Sequence, residues 1–288
     1  MSPERRADII LILTTMLAAA GWVFSKQTIQ GLPPFGFIGM RFVLASACLL
    51  PFCIGNFKRV TKPDIGKAMG VGCALALALL SWIYAVSISD TLGEGAFIMS
   101  LSMLFVPLIA WGLFQQQPPR IFWFALPIAV LGLALLSVGD GDWQLSISQI
   151  GFLVAAVMLA IHFNLNSKYA RRLPTLLLTC LQLFVTGCFG LLASGLFETF
   201  PDDVATDIWG WFLLSTILAT SLRYVMQTTG QKGSAPTNAA IIMILEPVWT
   251  VLLSVTTYNE AMPINKMIGC ALILLSLGVF RFNRVSHR

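Results

Sequence analysis

Ten times along this chain a run of roughly 20 mainly apolar residues ends in a short connection, often marked by Pro or Gly. The runs are 8–26, 34–55, 66–87, 92–114, 121–139, 148–167, 175–196, 208–229, 234–257 and 264–282. As a helix, a run of that length matches the hydrocarbon thickness of a bilayer. Lipid offers no partners to backbone N–H and C=O groups, so a spanning segment is either a helix or a strand of a closed barrel. These runs are long and do not alternate apolar with polar residues, which selects helices. Composition agrees. Only 11% of the 288 residues are charged and 57% are hydrophobic, where a soluble domain carries about 25% charged residues. So few charges cannot cover a water-facing surface, and the surplus apolar surface must face lipid. The sequence predicts an all-α integral membrane protein with ten transmembrane helices.

The basic residues set an orientation. With the N-terminus inside, the inner connections and ends receive Arg5, Arg6, Lys58, Arg59, Lys62, Lys67, Arg120, Lys168, Arg171, Arg172, Lys232, Arg281, Arg284 and Arg288, while the outer ends receive Lys26 and Lys266. Acidic residues, among them Asp90, Glu94, Asp140, Glu198, Asp207 and Glu260, gather on the opposite side. Basic residues accumulate on the cytoplasmic face, so both chain ends are expected there. The net charge of +5 reflects this bias and not a nucleic-acid surface. The apolar run after Arg5 and Arg6 has no small-residue cleavage site and reads as a first membrane helix, not a removed signal. All six cysteines lie in apolar stretches without a C-x-x-C pair, so neither a disulfide framework nor a zinc site is expected.

The chain also repeats itself. Leu32-Pro33 recurs as Leu173-Pro174, and Ser81, Tyr84, Gly93 and Pro107 recur as Ser221, Tyr224, Gly233 and Pro247 at one fixed offset. This predicts duplicated units, residues 1–143 and 144–288. Five helices per unit is an odd number, so the second copy enters the membrane from the opposite face. Inverted repeats of this kind place a binding site near the midplane, where the two units meet.

Polar groups inside hydrocarbon are costly and become functional candidates. Glu246 lies in the ninth helix, where it can carry a coupling proton, face a substrate ammonium group, or serve as a structural carboxylate paired with Arg41. Arg41 in the second helix can meet a substrate carboxylate or an internal partner. Arg223, in the eighth, reads as a cation snorkelling to the cytoplasmic interface. His162 and Asn166 are four apart and share a helix face; a proton relay and a hydrogen-bonded helix contact both fit them. Gln227 and Asn238 suit either an inner vestibule or the caps of helices eight and nine. Trp22, Tyr84 and Tyr224 are candidates for an aromatic wall that stacks flat solutes or attracts cations. Trp111, Trp123, Trp209 and Trp211 fit the lipid interface. Pro107 and Pro247 each remove a backbone hydrogen bond in mid-helix and are expected hinges.

Gly21-Trp22, Arg41-Phe42, Tyr84-Ala85, Pro107, Leu245-Glu246-Pro247-Val248 and the glycines from Gly269 to Gly278 together resemble the ten-helix drug/metabolite transporter superfamily, in particular its EamA-type exporters. The resemblance covers nearly the whole chain. Asn259-Glu260 follows the acidic turn such repeats often carry after the ninth helix, whereas Gln115-Gln116-Gln117 departs from it after the fourth. The resemblance implies a secondary exporter of small organic metabolites working by alternating access in the inner membrane of a bacterium. Within the superfamily the chain is most similar in character to aromatic amino acid exporters; exporters of cationic drugs are the alternative.

Beyond the solute and the lipid bilayer, no partner or cofactor is expected. The sequence has no Walker A, H-E-x-x-H or G-x-S-x-G motif, which argues against a membrane enzyme or a nucleotide-driven pump. Nucleic-acid binding lacks a basic fold to support it. Membrane-impermeant labelling of cysteines added at the two chain ends is expected to leave both unmodified from outside the cell. Modification of one end alone breaks the even helix count.

Overall fold

The computed structural model describes residues 3–89, 92–115, 117, 120–137, 146–234, 239, 242–243, 245–258 and 264–285. Among them there is no strand. The helices, in chain order, are α1 Pro3–Thr28, α2 Pro34–Cys53, α3 Lys62–Ser87, α4 Leu92–Ser100, α5 Ser102–Phe114, α6 Phe122–Ser137, α7 Ile147–Ala170, α8 Thr175–Phe197, α9 Thr206–Thr216, α10 Arg223–Gly233, α11 Leu245–Tyr258 and α12 Ile264–Val285. A 3₁₀ segment, Ile54–Arg59, follows α2, and a π-helical turn, Ile217–Leu222, joins α9 to α10 without a break.

Seven helical stretches of the described residues are long and apolar enough to cross a membrane. They are Glu4–Thr28, Pro34–Lys58, Lys62–Ser87, Gly95–Phe114, Ile147–Ala170, Thr175–Phe197 and Thr206–Gly233. The expected fifth, ninth and tenth segments are helical where described, as α6, α11 and α12. Part of the ninth lies outside the described residues.

Local chemistry explains where the helices begin. The recurring Leu-Pro pair stands at the same place twice, with Pro33 and Pro174 at the N-caps of α2 and α8. Proline is tolerated there because the first N–H groups of a helix have no intrahelical partner. Reciprocal capping boxes open α3, through Thr61 and Asp64, and α7, through Ser146 and Gln149. At the end of α5, Gln115 takes a left-handed conformation (φ 57°) and its N–H returns to Trp111 O at 2.9 Å. The first residue of the Gln-Gln-Gln departure thus terminates this helix, in a conformation glycine usually supplies.

The helices pack as definite pairs: α2 with α8, α3 with α7, α1 with α10, α6 with α12 and α4 with α11. The approach between α2 and α8 is especially close. Lipid tails are as apolar as leucine, so helices in a bilayer associate through close packing and polar ties and not through hydrophobic burial. Gly39 on α2 faces Gly187 and Gly190 on α8, while Gly36 makes room for Ser194 and Phe200. A methyl group added to Gly190 would lie 2.5 Å from Gly39 N, and one on Gly187 would lie 2.6 Å from Val43 N. Here backbone touches backbone.

A carboxylate locks the end of this pair. Glu198, just past α8, accepts from Phe35 N at 2.7 Å and from Gly36 N at 2.8 Å, placing negative charge on the N-terminus of α2. Lys26 does the converse for α3, donating to Val86 O at 3.2 Å and Ser89 O at 2.7 Å. Gly190→Leu is expected to cost about 1–3 kcal/mol by overpacking, and Glu198→Ala about 1 kcal/mol through the lost cap. Both are measured as lower melting temperatures of the detergent-purified protein. Gly195→Leu, at a glycine with open space around it, is the control expected to leave melting unchanged.

Candidate functional site

A small cavity of about 50 Å³ opens inside the bundle. Its wall combines Trp22 with Gly21 and Ala18 from α1, Arg41 and Phe42 from α2, and Trp82 from α3. Leu159 of α7, Ala219 of the π turn, Arg223 and Tyr224 of α10 and Glu246 of α11 complete its polar and aromatic side. Met99 of α4 and Ala78 and Leu79 of α3 also line it.

Aromatic rings dominate the interior. Trp22 meets Trp82 edge-to-face at 5.1 Å and Phe152 at 5.9 Å, and Tyr224 meets Phe42 edge-to-face at 5.8 Å. Contacts of this kind stabilise beyond the area buried and fix ring orientation. The Arg223 guanidinium lies over the Tyr224 ring, 4.7 Å from its centroid, a cation–π geometry.

Two arginines and one carboxylate supply the charge. Arg41 is buried, and its donors are satisfied by neutral oxygens. Nε donates to Thr220 Oγ1, one terminal nitrogen to Ser25 Oγ at 2.9 Å, and the other to Ala219 O at 3.2 Å. The π turn makes this possible. Its wider winding directs Thr220 and Ser221 hydroxyls to the carbonyls five residues back, Ser215 O at 2.8 Å and Thr216 O at 3.0 Å, in the same turn whose Ala219 O accepts from Arg41. Single π turns inside α-helices often mark functional sites. Gly21 allows the approach, since a methyl group there would lie 2.9 Å from the Ala219 Cβ.

Glu246 therefore does not pair with Arg41, as the sequence suggested for its structural role. One oxygen accepts from Trp22 Nε1 at 3.0 Å, and the other lies 3.7 Å from a terminal nitrogen of Arg223. Arg223 is correspondingly not a snorkelling cation. The eighth span runs on to Gly233, which puts Arg223 well inside it, with its side chain only 14% exposed. Its sequence signal was the charge within an apolar run, but an overly early helix end moved it to the interface.

The other candidates lie elsewhere. Tyr84 is 46% exposed and stacks on Phe35 at 6.4 Å, so the two tyrosines at the fixed offset have unlike surroundings: Tyr224 is in the cavity wall and Tyr84 outside it. His162 and Asn166 belong to a buried contact among α7, α8 and α10. His162 Nε2 donates to Gln182 Oε1 at 2.8 Å, Asn166 Nδ2 donates to Gln231 Oε1, and Thr179 Oγ1 donates to Thr228 Oγ1 at 3.2 Å. The hydrogen-bonded helix contact is what the geometry contains at these residues. Gln227 is buried within α10, six residues before its end, and caps nothing. Asn238 lies outside the described residues. The break between α4 and α5 falls at Leu101, ahead of Pro107, while Pro247 is buried as the third residue of α11. Trp111, Trp123 and Trp209 are exposed, as interfacial residues should be, whereas Trp211 is half-buried and packs on Phe24 at 5.9 Å.

Comparison with known proteins adds the family. The model of the EamA-like transporter family matches residues 5–138 and again residues 146–282. A protein of Archaeoglobus fulgidus named as an uncharacterized transporter is 26% identical over 273 residues, which is 94% of this chain and 84% of that protein. The Bacillus subtilis protein named as uncharacterized transporter YvbV is 20% identical over 282 residues, 96% of this chain and 91% of its own. A crystal structure superposes with a TM-score of 0.71 at 18% identity, covering 98% of this chain and 99% of that one; at that identity the likeness is one of fold. Matched by one family model along nearly its whole length, the chain belongs to the EamA-like transporter family, and it is a multi-pass membrane transporter of small molecules, not an enzyme.

Proposed function

We propose that this transporter exports small organic metabolites, aromatic amino acids foremost, across the cytoplasmic membrane by alternating access. The observation that carries the reading is the cavity. Trp22, Trp82, Phe42 and Tyr224 offer ring faces and edges, and Arg41, Arg223 and Glu246 place charge of both signs beside them. A flat apolar side chain carrying a charged head fits such a wall. Trp22, Tyr224, Arg41, Arg223 and Glu246 form the proposed solute site. Glu246 also speaks for the competing reading, export of cationic drugs. Two guanidiniums in the same wall speak against it.

The mechanism rests on ten spans in two inverted units, residues 1–143 and 144–288, with both chain ends cytoplasmic. Two observations support this arrangement. The family model fits the chain twice in succession. Helix pairing is also preserved when the units are exchanged: α3–α7 becomes α10–α1, while α2–α8, α4–α11 and α6–α12 map onto themselves. Two units related this way can rock against each other around a fixed midplane site. Pro107, inside α5, leaves that helix one backbone hydrogen bond short and then serves as a hinge, with Pro247 in the first turn of α11 as its counterpart.

Proteoliposomes loaded with Phe, Tyr or Trp are expected to show counterflow of the labelled amino acid, absent from empty vesicles. Failure of all three to move removes the substrate assignment. Pro247→Ala is expected to slow flux several-fold without lowering the melting temperature, and unchanged flux removes Pro247 from the hinge.

A further inference from the structure

The cavity wall is unbalanced in charge, and its ion pair is loosely made. Among the described wall residues, Arg41 and Arg223 contribute two guanidiniums and Glu246 is the one carboxylate. The closest Arg223–Glu246 approach is 3.7 Å, well beyond the roughly 2.7–2.9 Å of a tight charge-assisted hydrogen bond. Arg223 Nε is buried and has no hydrogen-bond partner among the described residues. Both ends of the pair reach the cavity, and each is held from behind. Arg223 lies against the Tyr224 ring, and Glu246 is fixed by Trp22 Nε1. The pair is thus positioned by its neighbours more than by itself.

We infer that the solute inserts into this ion pair, its carboxylate on Arg223 and its ammonium on Glu246, so that Arg223 and Glu246 determine specificity for zwitterionic aromatic amino acids. The inference rests on the cavity being the solute site. Its logic is charge accounting. A carboxylate can engage the two terminal nitrogens, a bidentate fork that guanidinium geometry favours. An anion without an ammonium group would set its carboxylate against that of Glu246. A cation on Glu246 would take the counter-charge from Arg223 and leave it, with Arg41, uncompensated inside the bundle, and breaking a buried pair in this way is strongly unfavourable. A zwitterion re-pairs both ends and leaves the net charge of the wall as it was. Arg41 is the contrasting case. Its nitrogens are engaged by Ser25, Thr220 and Ala219, so it holds the π turn against α1 and supplies background positive potential.

The test is the binding of L-phenylalanine, phenethylamine and 3-phenylpropionate to the full-length protein in nanodiscs, by calorimetry. These share one ring and differ only in the charged groups. Phenylalanine is expected to bind roughly tenfold or more tightly than either of the other two, because each of them leaves one charge of the pair without a partner. Arg223→Gln is expected to bring phenylalanine down toward phenethylamine, and Glu246→Gln to bring it down toward 3-phenylpropionate. Because either variant alone leaves a buried charge, the neutral double variant Arg223→Gln/Glu246→Gln is measured beside them, with the three compounds expected to bind alike. Equal binding of all three compounds to the wild type overturns the insertion while keeping the aromatic cavity. Phenethylamine binding as tightly as phenylalanine overturns it in favour of a cation site. If none of the three binds, the solute site itself falls, and this inference with it.

Discussion

A backbone polar group inside a bilayer has no water to turn to, and nearly everything about this chain follows from that. Helices satisfy their own ladders, so the membrane-crossing segments are helical, and what remains to be settled is how the helices hold one another. Because lipid gives no hydrophobic drive between them, a close helix contact here is built from glycine. Gly39, Gly187 and Gly190 let α2 and α8 touch backbone to backbone, and Glu198 fastens the start of α2 to the end of α8. That pair is the fixed element on which α3, α9 and the π turn are packed.

The same constraint governs the polar residues. A buried arginine is tolerable only when its donors are met, and Arg41 meets them with oxygens from α1 and from the π turn. The unusual winding at Ile217–Leu222 thus meets a charge on another helix, since Arg41 donates to both Thr220 Oγ1 and Ala219 O within it. Two helices are tied at the cavity edge by one side chain. Further along α10, His162, Gln182, Asn166, Thr228 and Gln231 do comparable work, joining α7, α8 and α10 through side-chain hydrogen bonds.

Function then occupies what the packing leaves open. The cavity is where aromatic side chains from several helices meet without filling the space between them. Its charges differ in how firmly they are engaged. Arg41 is committed to structure, whereas Arg223 and Glu246 are oriented by Tyr224 and Trp22 and only weakly by each other. A transporter needs groups of the second kind, because a site that is already satisfied gains nothing from a solute.

Hydropathy, which adds up residue by residue, was enough to establish from the sequence the helical class and the membrane location, while motif residues such as Leu245-Glu246-Pro247-Val248 carried the resemblance to the family. It also singled out Trp22, Arg41, Tyr224 and Glu246, because polar and aromatic groups inside apolar runs stand out one at a time. Partnership is not additive in this way. Whether Glu246 faces Arg41 or Arg223 depends on the rotation of α2, α10 and α11 about their axes, and a π turn shifts that rotation without any one residue announcing it. The repeat made Tyr84 and Tyr224 look equivalent; packing left Tyr84 half exposed beside Phe35 and put Tyr224 in the wall. Which residues enter the membrane is decided by transfer energies that each segment carries alone, and which residues meet there is decided only when the helices have docked.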